Sequence, residues 1–329
     1  MERGNETSNS YLILLGLFPE IRQLGLLISL VLLIYTVAVV GNVVLVLLIW
    51  AEPRLHVPMY ILLSQLSLMD AILITTVVPK MAADFFSGRR NVSCVACGAQ
   101  MFLYLTLGGS ECLLLTVMSY DRYVAVCHPL RYPVLVSPRI CLRMVGGSWT
   151  GGAVNALVQT AYSMHFPICR SREIHHFFCE VMAVLTLSCR DTSAYEAGVT
   201  ATAVGFFLIP VVLITTSYAL IFLSVLRMDS REGRRKALAT CSSHLTVVAL
   251  YFGSAIFIYV TPGLSQAPEQ NQALSVFNTI LTPALNPLIY SLRNQEVWGA
   301  LKKFLGTCLI STWNPNSGCQ TVLDARRLA

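Results

Sequence analysis

Met118-Ser119-Tyr120-Asp121-Arg122-Tyr123-Val124-Ala125-Val126-Cys127 closes a 24-residue run, Ala96–Ser119, whose one charged residue is Glu111. Coiled as a helix, such a run reaches about 36 Å, enough to cross bilayer hydrocarbon about 30 Å thick. The acid–arginine pair at its end then sits at the water interface, where ionic groups are tolerated. That is a suitable place for a switch facing the cytosol.

The rest of the chain follows the same pattern. Of its 329 residues, 55% are hydrophobic and 12% charged, and the mean hydropathy is +0.64. A soluble domain carries about 25% charge. Seven apolar runs stand out, at 24–49, 58–79, 97–120, 141–163, 197–226, 237–260 and 272–292. Each has the length of a membrane-spanning helix, and the turn signals that stacked short strands require are missing inside them. The expected fold is an all-α membrane protein, a bundle of seven transmembrane helices. Residues 1–23 show charges but no long apolar core, so no cleavable signal is expected and the first span acts as a signal anchor.

An odd number of spans puts the two ends on opposite sides. With the N-terminus outside, fifteen of the 23 Lys and Arg residues fall on the inner side, which supports that orientation. Sequons at Asn5 and Asn91 would then face outward as glycosylation sites. The expected organisation is an extracellular segment 1–23, a receptor domain 24–292, and a cytosolic interfacial helix with tail over 293–329. The net charge of +6 belongs to the cytosolic rim and calls for no nucleic acid. In the last segment Trp298, Leu301, Phe304 and Leu305 form the lipid face of a short amphipathic eighth helix. Cys308 beyond it is a candidate for palmitoylation.

Of eleven cysteines, Cys112, Cys127, Cys141 and Cys241 lie in or near spans and read as reduced apolar fillers. Cys97 opens the third span, and Cys169, Cys179 and Cys189 share one long outer loop where disulfides are permitted. Cys97–Cys179 with Cys169–Cys189 is the favoured pairing, although Cys94 competes with Cys97 and sequence does not fix connectivity. His175 and His176 beside Cys179 are expected to face water in a tied loop rather than to hold a metal. The chain shows no metal quartet and no nucleophile–base pair, so an enzyme is not expected.

Two acids, Asp70 and Glu111, fall deep inside spans, where a carboxylate is a functional candidate by default. Asp70 lies twelve residues beyond Pro58 and Glu111 eleven before Arg122, so antiparallel neighbours bring both near mid-membrane. There they would share a proton or bind a cation such as sodium, with Asn42 and Asn286 completing the cluster. A purely structural polar knot is the competing reading. Further out on the third span, Tyr104, Leu105, Gly108, Gly109 and Cys112 share about one face. With Phe206, Phe207, Tyr251, Phe252 and Tyr259 at comparable depth, they outline a cavity; close packing is the alternative. Pro210, Pro283 and Pro287 are expected to kink their helices. Arg122 is expected to pair with Asp121 in one state and release it in another. Tyr218 and Tyr290 are placed to rearrange near the inner ends of spans five and seven.

Taken together, certain motifs resemble the vertebrate odorant receptors, a branch of the rhodopsin-like G-protein-coupled receptors. These are Gly41-Asn42; Pro58-Met59-Tyr60; Met118 through Cys127; Lys236-Ala237 with Thr240-Cys241-Ser242-Ser243-His244-Leu245; and Pro283-Ala284-Leu285-Asn286-Pro287-Leu288-Ile289-Tyr290. Ser119 stands where that family usually has alanine. The long outer loop resembles the class associated with airborne, hydrophobic odorants. The resemblance implies an odorant pocket lined by Tyr104, Leu105, Gly108, Gly109, Ala203, Phe206, Phe207, Ala255, Tyr259 and Thr279. It also implies a switch of Asp121, Arg122, Tyr123, Tyr218, His244 and Tyr290, and a central polar site of Asn42, Asp70, Glu111 and Asn286. The implied partners are a small volatile odorant, a stimulatory olfactory-type heterotrimeric G protein that raises cyclic AMP, membrane lipid and receptor-trafficking helpers. The implied location is the plasma membrane, that of sensory cilia. Two alternatives remain: a receptor of this fold for a metabolite outside the nose, and an ion-coupled transporter. The transporter would show internal repeats and paired broken helices, and neither is visible.

Overall fold

The computed structural model describes residues 11–18, 23–169, 171–260, 268–293 and 296–304, with backbone alone at 236, 240, 255–260, 268–270 and 292–293. The sequons and cysteines at Asn5, Cys308 and Cys319, and the tail, lie outside the described residues. The helices are α1 (Leu24–Ala51), α2 (Pro58–Ser87), α3 (Cys94–Cys127), the short α4 (Tyr132–Leu135) and α5 (Pro138–Ser163). They continue with α6 (Val181–Leu185), α7 (Ser193–Leu226), α8 (Arg231–Val260), α9 (Pro268–Val276) and α10 (Thr282–Arg293). A π-helical turn, Phe277–Leu281, joins α9 to α10 into the seventh span. The seven spans therefore stand, most of them longer than the apolar runs alone.

Capping chemistry sets their ends. Pro58 and Pro138 open α2 and α5 where a missing N–H costs nothing. Ser93 and Ser137 accept the first free amides of α3 and α5. Gly88 closes α2 at φ 67°, a left-handed conformation in which a side chain would be strained.

Five described helices, α1, α2, α3, α7 and α8, are long and apolar enough on those grounds alone to cross a membrane. The fourth and seventh spans do not meet both conditions as single described helices, although each is a span of the bundle. Arg139, Arg143, four glycines, Asn155 and Gln159 dilute α5, and the seventh span is interrupted by its π turn. The exterior is what a lipid-facing surface requires: Leu26, Leu30, Leu33, Val37 and Val40 of α1 and Leu208, Ile209, Val212 and Leu213 of α7 are all exposed.

The centre is organised around α3, which packs against α2, α5 and α7. Its closest neighbour is α5, because glycines remove the side chains that would hold them apart. A β-carbon on Gly152 would lie 2.7 Å from the Ser110 nitrogen, and one on Gly151 would lie 2.8 Å from Leu113 Cδ1. Gly109 meets the Gly152 Cα at 3.2 Å from its own virtual β-carbon.

Prolines lie inside three of the spans, and a polar side chain from a neighbour reaches the backbone beside each. Pro287 cannot donate to the carbonyl of residue 283; Asn42 Nδ2 donates to that oxygen at 2.8 Å. Gly41 lets the proline ring approach, since its virtual β-carbon lies 3.3 Å from Pro287 Cγ. Pro210 frees the carbonyl of Phe206, which accepts the Cys112 thiol at 3.0 Å. In α2, Pro79 leaves the Thr75 carbonyl without its helix donor, and Gln100 Nε2 donates to the next carbonyl, that of Thr76, at 3.0 Å.

The outer end carries a cap. Strand β1 (Tyr11–Leu14) runs between β2 (Asn91–Ser93), antiparallel with Leu12 opposite Val92, and β3 (Glu173–Ile174), parallel with Leu14 opposite Ile174. Disulfides Cys97–Cys179 and Cys169–Cys189 tie the loop between α5 and α7 to α3 and to itself, and Cys94 is free. Gln272 clasps the cap from α9, its Nε2 donating to the His175 carbonyl and its Oε1 accepting the Phe18 amide. His176 departs from expectation. His175 is exposed, but His176 is buried, stacked on Phe177 at 4.6 Å with its Nδ1 accepting the Phe178 amide. The disulfide pulls this aromatic run into the bundle, where Phe178 meets Tyr104 at 4.5 Å.

At the inner end, residues 296–304 are helical. Val297 and Ala300 pack against Leu45, Ile49, Leu55, Tyr60 and Leu63, while Trp298 and Phe304 are exposed. Lys303 anchors the segment to Glu52 at 2.8 Å.

Two outcomes follow from this architecture. Asn42→Leu leaves the Pro283 carbonyl without its donor and is expected to cost about 1–3 kcal/mol, read as a lowered unfolding temperature of the solubilised protein. Burial holds the His176 ring neutral, lowering its pKa from 6.5 to about 3. Between those values the unfolded chain binds the extra proton, so stability falls on acidification by up to about 1.4 kcal/mol per pH unit. His176→Asn, which keeps an acceptor and cannot protonate, is expected to flatten the pH dependence of unfolding between pH 7 and 5.

Candidate functional site

A cavity opens in the outer half of the bundle between α3, α5, α7 and α8, with about 780 Å³ of atom-free space including its open mouth. Its floor and one wall come from α3: Tyr104, Leu105, Gly108, Gly109, Glu111 and Cys112. Facing them, α7 contributes Val199, Ala203, Phe206 and Phe207, and α8 contributes Tyr251. Thus seven residues expected around one pocket border one space. The two α3 glycines divide the work that sequence left ambiguous. Gly109 serves the tight approach to Gly152, whereas the nearest atom to a β-carbon on Gly108 is the Tyr251 hydroxyl at 3.9 Å. The Tyr251 hydroxyl donates to the Gly108 carbonyl, which fixes α8 against α3 at the cavity wall.

Three expected residues remain. The side chains of Ala255 and Tyr259 lie outside the described residues. Thr279 is buried inside the seventh span beside the cavity-wall Tyr104, and its neighbour Asn278 lines the cavity itself, both within the π turn. Sequence reading missed Asn155 and Gln159, both of which line the cavity from α5. Carboxamides four residues apart in an otherwise apolar, glycine-rich span were the available signal, since polar side chains in a span face its interior.

Below the cavity lies the acid pair. Asp70 is fully buried and accepts from Asn286 Nδ2 at 2.9 and 3.2 Å. Glu111 is within electrostatic reach of it and lines the deep end of the cavity. Asn42 does not join the carboxylates through a hydrogen bond: its amide is spent on the Ala38 and Pro283 carbonyls at 3.0 and 2.8 Å. Glu111 Oε1, Asn42 Oδ1 and Asn286 Oδ1 are buried and make no protein hydrogen bond, so acceptor oxygens are in excess here.

At the inner end of α3, Arg122 is ion-paired with Asp121, its Nε donating at 3.0 Å. Asp121 is buried and takes a second donor, the Tyr132 hydroxyl of α4, at 2.7 Å. Tyr218 of α7 does not bond Arg122. Its hydroxyl bonds His244 Nδ1 of α8 at 2.6 Å, and the rings stack. Tyr290 is buried nearby, within electrostatic reach of Tyr218 and Arg122. Tyr123 turns away to His128, at 3.1 Å. From Gly108 to Arg122 is fourteen residues along one unbroken helix, about 21 Å. One rigid element therefore borders both the cavity and the arginine.

The glycines supply a paired test. Gly152→Ala forces a β-carbon into the α3 backbone and is expected to remove folded protein from the cell surface, as counted by surface labelling. Gly108→Ala meets nothing closer than ordinary contact; it is expected to leave surface labelling within about twofold while weakening bulky cavity ligands more than slender ones.

Comparison with known proteins accords with this arrangement. The family profile described as olfactory receptor matches residues 31–307. The chain is 52% identical to Olfactory receptor 2V1 of Mus musculus over 308 residues, covering 94% of this chain and 98% of the relative. It is 52% identical to Olfactory receptor 2T27 of Homo sapiens over 311 residues, covering 94% and 98%, and 54% identical to Olfactory receptor 2T5 of Homo sapiens over 302 residues, covering 92% and 96%. A seven-span bundle with a cavity at one end of α3 and an acid–arginine pair at the other accords with what the comparisons show, a multi-pass plasma-membrane receptor and not an enzyme: the chain belongs to the olfactory receptor family, whose members bind odorants and couple to G proteins.

Proposed function

We propose that a small, mostly apolar volatile molecule enters the cavity between α3, α5, α7 and α8 and shifts the bundle to a state that activates a stimulatory, olfactory-type G protein, raising cyclic AMP. The observation that carries this is the continuity of α3, which borders the cavity at Gly108 and holds Arg122 at its inner end. In this reading 1–23 is extracellular, 24–292 is the receptor domain and 293–329 is the cytosolic helix and tail. Trafficking helpers assist its passage to the surface.

The described arrangement has the features of a resting state. Arg122 is held by Asp121, which Tyr132 also holds, and Tyr218 is held by His244. Activation swings the inner end of α8 outward, breaks the Tyr218–His244 bond and frees Tyr218 to engage Arg122. The ligand must bind that active state better than the resting one, since equal affinity shifts nothing. Phe206 offers a route. It touches the cavity, and its carbonyl, freed by Pro210, rests on the Cys112 thiol, so displacement of the ring bears on the hinge of α7. The unpaired oxygens around Asp70 and Glu111 support a bound sodium ion or a shared proton there, released or moved as the helices rearrange.

Arg122→Ala is expected to keep surface labelling and abolish the cyclic AMP response to any activating odorant in cells supplied with an olfactory-type G protein. A fully responsive Arg122→Ala receptor removes the role given to the arginine.

A further inference from the structure

The cavity is not uniformly apolar, and its polar groups are unevenly committed. The Tyr251 hydroxyl is given to the Gly108 carbonyl, the Cys112 thiol to the Phe206 carbonyl, and Asn278 Oδ1 takes the Ser254 hydroxyl. The α5 wall differs. Gln159 Nε2 donates to Asn155 Oδ1 at 3.0 Å, and the Tyr195 hydroxyl holds the Gln159 backbone carbonyl at 2.7 Å. The pair is fixed in place from behind, and both side chains border the cavity.

Two carboxamides sharing one hydrogen bond leave one NH₂ and one carbonyl unspent. Rotating both amides by half a turn reverses which residue supplies which, yet the pair still presents a donor beside an acceptor. A hydroxyl matches that combination, because it gives a proton to the carbonyl and takes one from the NH₂. A ketone or an ether uses the donor alone, and a hydrocarbon uses neither. Among the described residues no Lys, Arg or His lines the cavity, and Glu111 does, so a carboxylate finds no counter-charge. Phe206, Phe207 and Leu105 line the same cavity and suit an apolar body.

We propose that Asn155 and Gln159 form the head-group reader of this receptor and select neutral odorants carrying one hydroxyl, alcohols and phenols, over hydrocarbons, ethers, ketones and carboxylates of equal size. This rests on the reading of the cavity as the odorant site. A site built to pair a hydroxyl discriminates strongly against analogues that leave its buried groups unpaired.

The test uses the full chain in cells, with cyclic AMP and surface labelling as readouts, and thermal stabilisation of the solubilised receptor as a readout that needs no G protein. The probes are matched sets: 1-octanol, 2-octanone, methyl heptyl ether, octane, octanoate and octylamine, with p-cresol against 4-methylanisole and p-xylene. The hydroxyl compounds are expected to be the most potent, by about tenfold or more over their ethers and hydrocarbons, the worth of one or two neutral hydrogen bonds. Gln159→Met preserves length and the backbone bond to Tyr195. It is expected to weaken the hydroxyl compounds about tenfold and to bring them level with their ethers, with surface labelling unchanged. Asn155→Leu is expected to do the same. Several results overturn the proposal: ethers or hydrocarbons as potent as alcohols, octanoate or octylamine as the strongest probe, alcohol potency unmoved in both surface-expressed variants, or no hydroxyl compound active or stabilising. A response to some other volatile that vanishes in Arg122→Ala leaves the odorant-receptor reading intact and refutes the head-group assignment alone.

Discussion

A backbone carbonyl freed by proline inside a lipid-embedded helix has no water to turn to, and this constraint organises the receptor. Two of these oxygens are met by a donor on another helix, that of Pro283 by Asn42 and that of Phe206 by Cys112. Those two positions are therefore tied by long-range bonds, and moving either helix means carrying or breaking the bond that steadies it. Gly41 and Asn42 act together for this reason, the glycine admitting the Pro287 ring and the asparagine answering the carbonyl that the ring leaves behind.

The same logic places the cavity. Glycines let α3 and α5 approach until their backbones touch at Gly109 and Gly152. That contact fixes one wall, and space remains where Phe206, Phe207 and Ala203 of α7 border it together with Tyr104 and Gly108 of α3. The outer cap covers this end with β1 threaded between β2 and β3, and the Cys97–Cys179 bridge draws Phe177 and Phe178 down onto the bundle. The loop reads as a hydrophobic lid rather than a solvated tether, which is why His176 is buried and His175 is not.

At the inner end, the polar groups are arranged in pairs. Asp121 holds Arg122, and His244 holds Tyr218. In the proposed function no new chemistry is needed to change partners, only a displacement of α8 relative to α3 and α7. Coupling over about 21 Å of helix α3 requires only that the cavity and the inner pairs prefer different positions of the same helices.

Sequence alone determined the seven spans, their expected orientation, the acid–arginine pair at the end of the third and most of the α3 and α7 residues around the cavity. Those features rest on length, hydrophobicity, charge and helical periodicity, which are properties of a segment considered by itself. Tertiary structure decided the rest. That Asn42 serves Pro283 rather than Asp70, that Gly109 packs while Gly108 opens space, and that Asn155 and Gln159 face the cavity are statements about which helix lies opposite which. So too, that Asn278 lines the cavity while Thr279 is buried, both within the π turn, depends on what packs around that turn. A helical segment specifies the faces it offers, but the partner that satisfies each buried polar group is chosen only when the helices assemble, because in an apolar medium the donor must come from whichever neighbour is within about 3 Å.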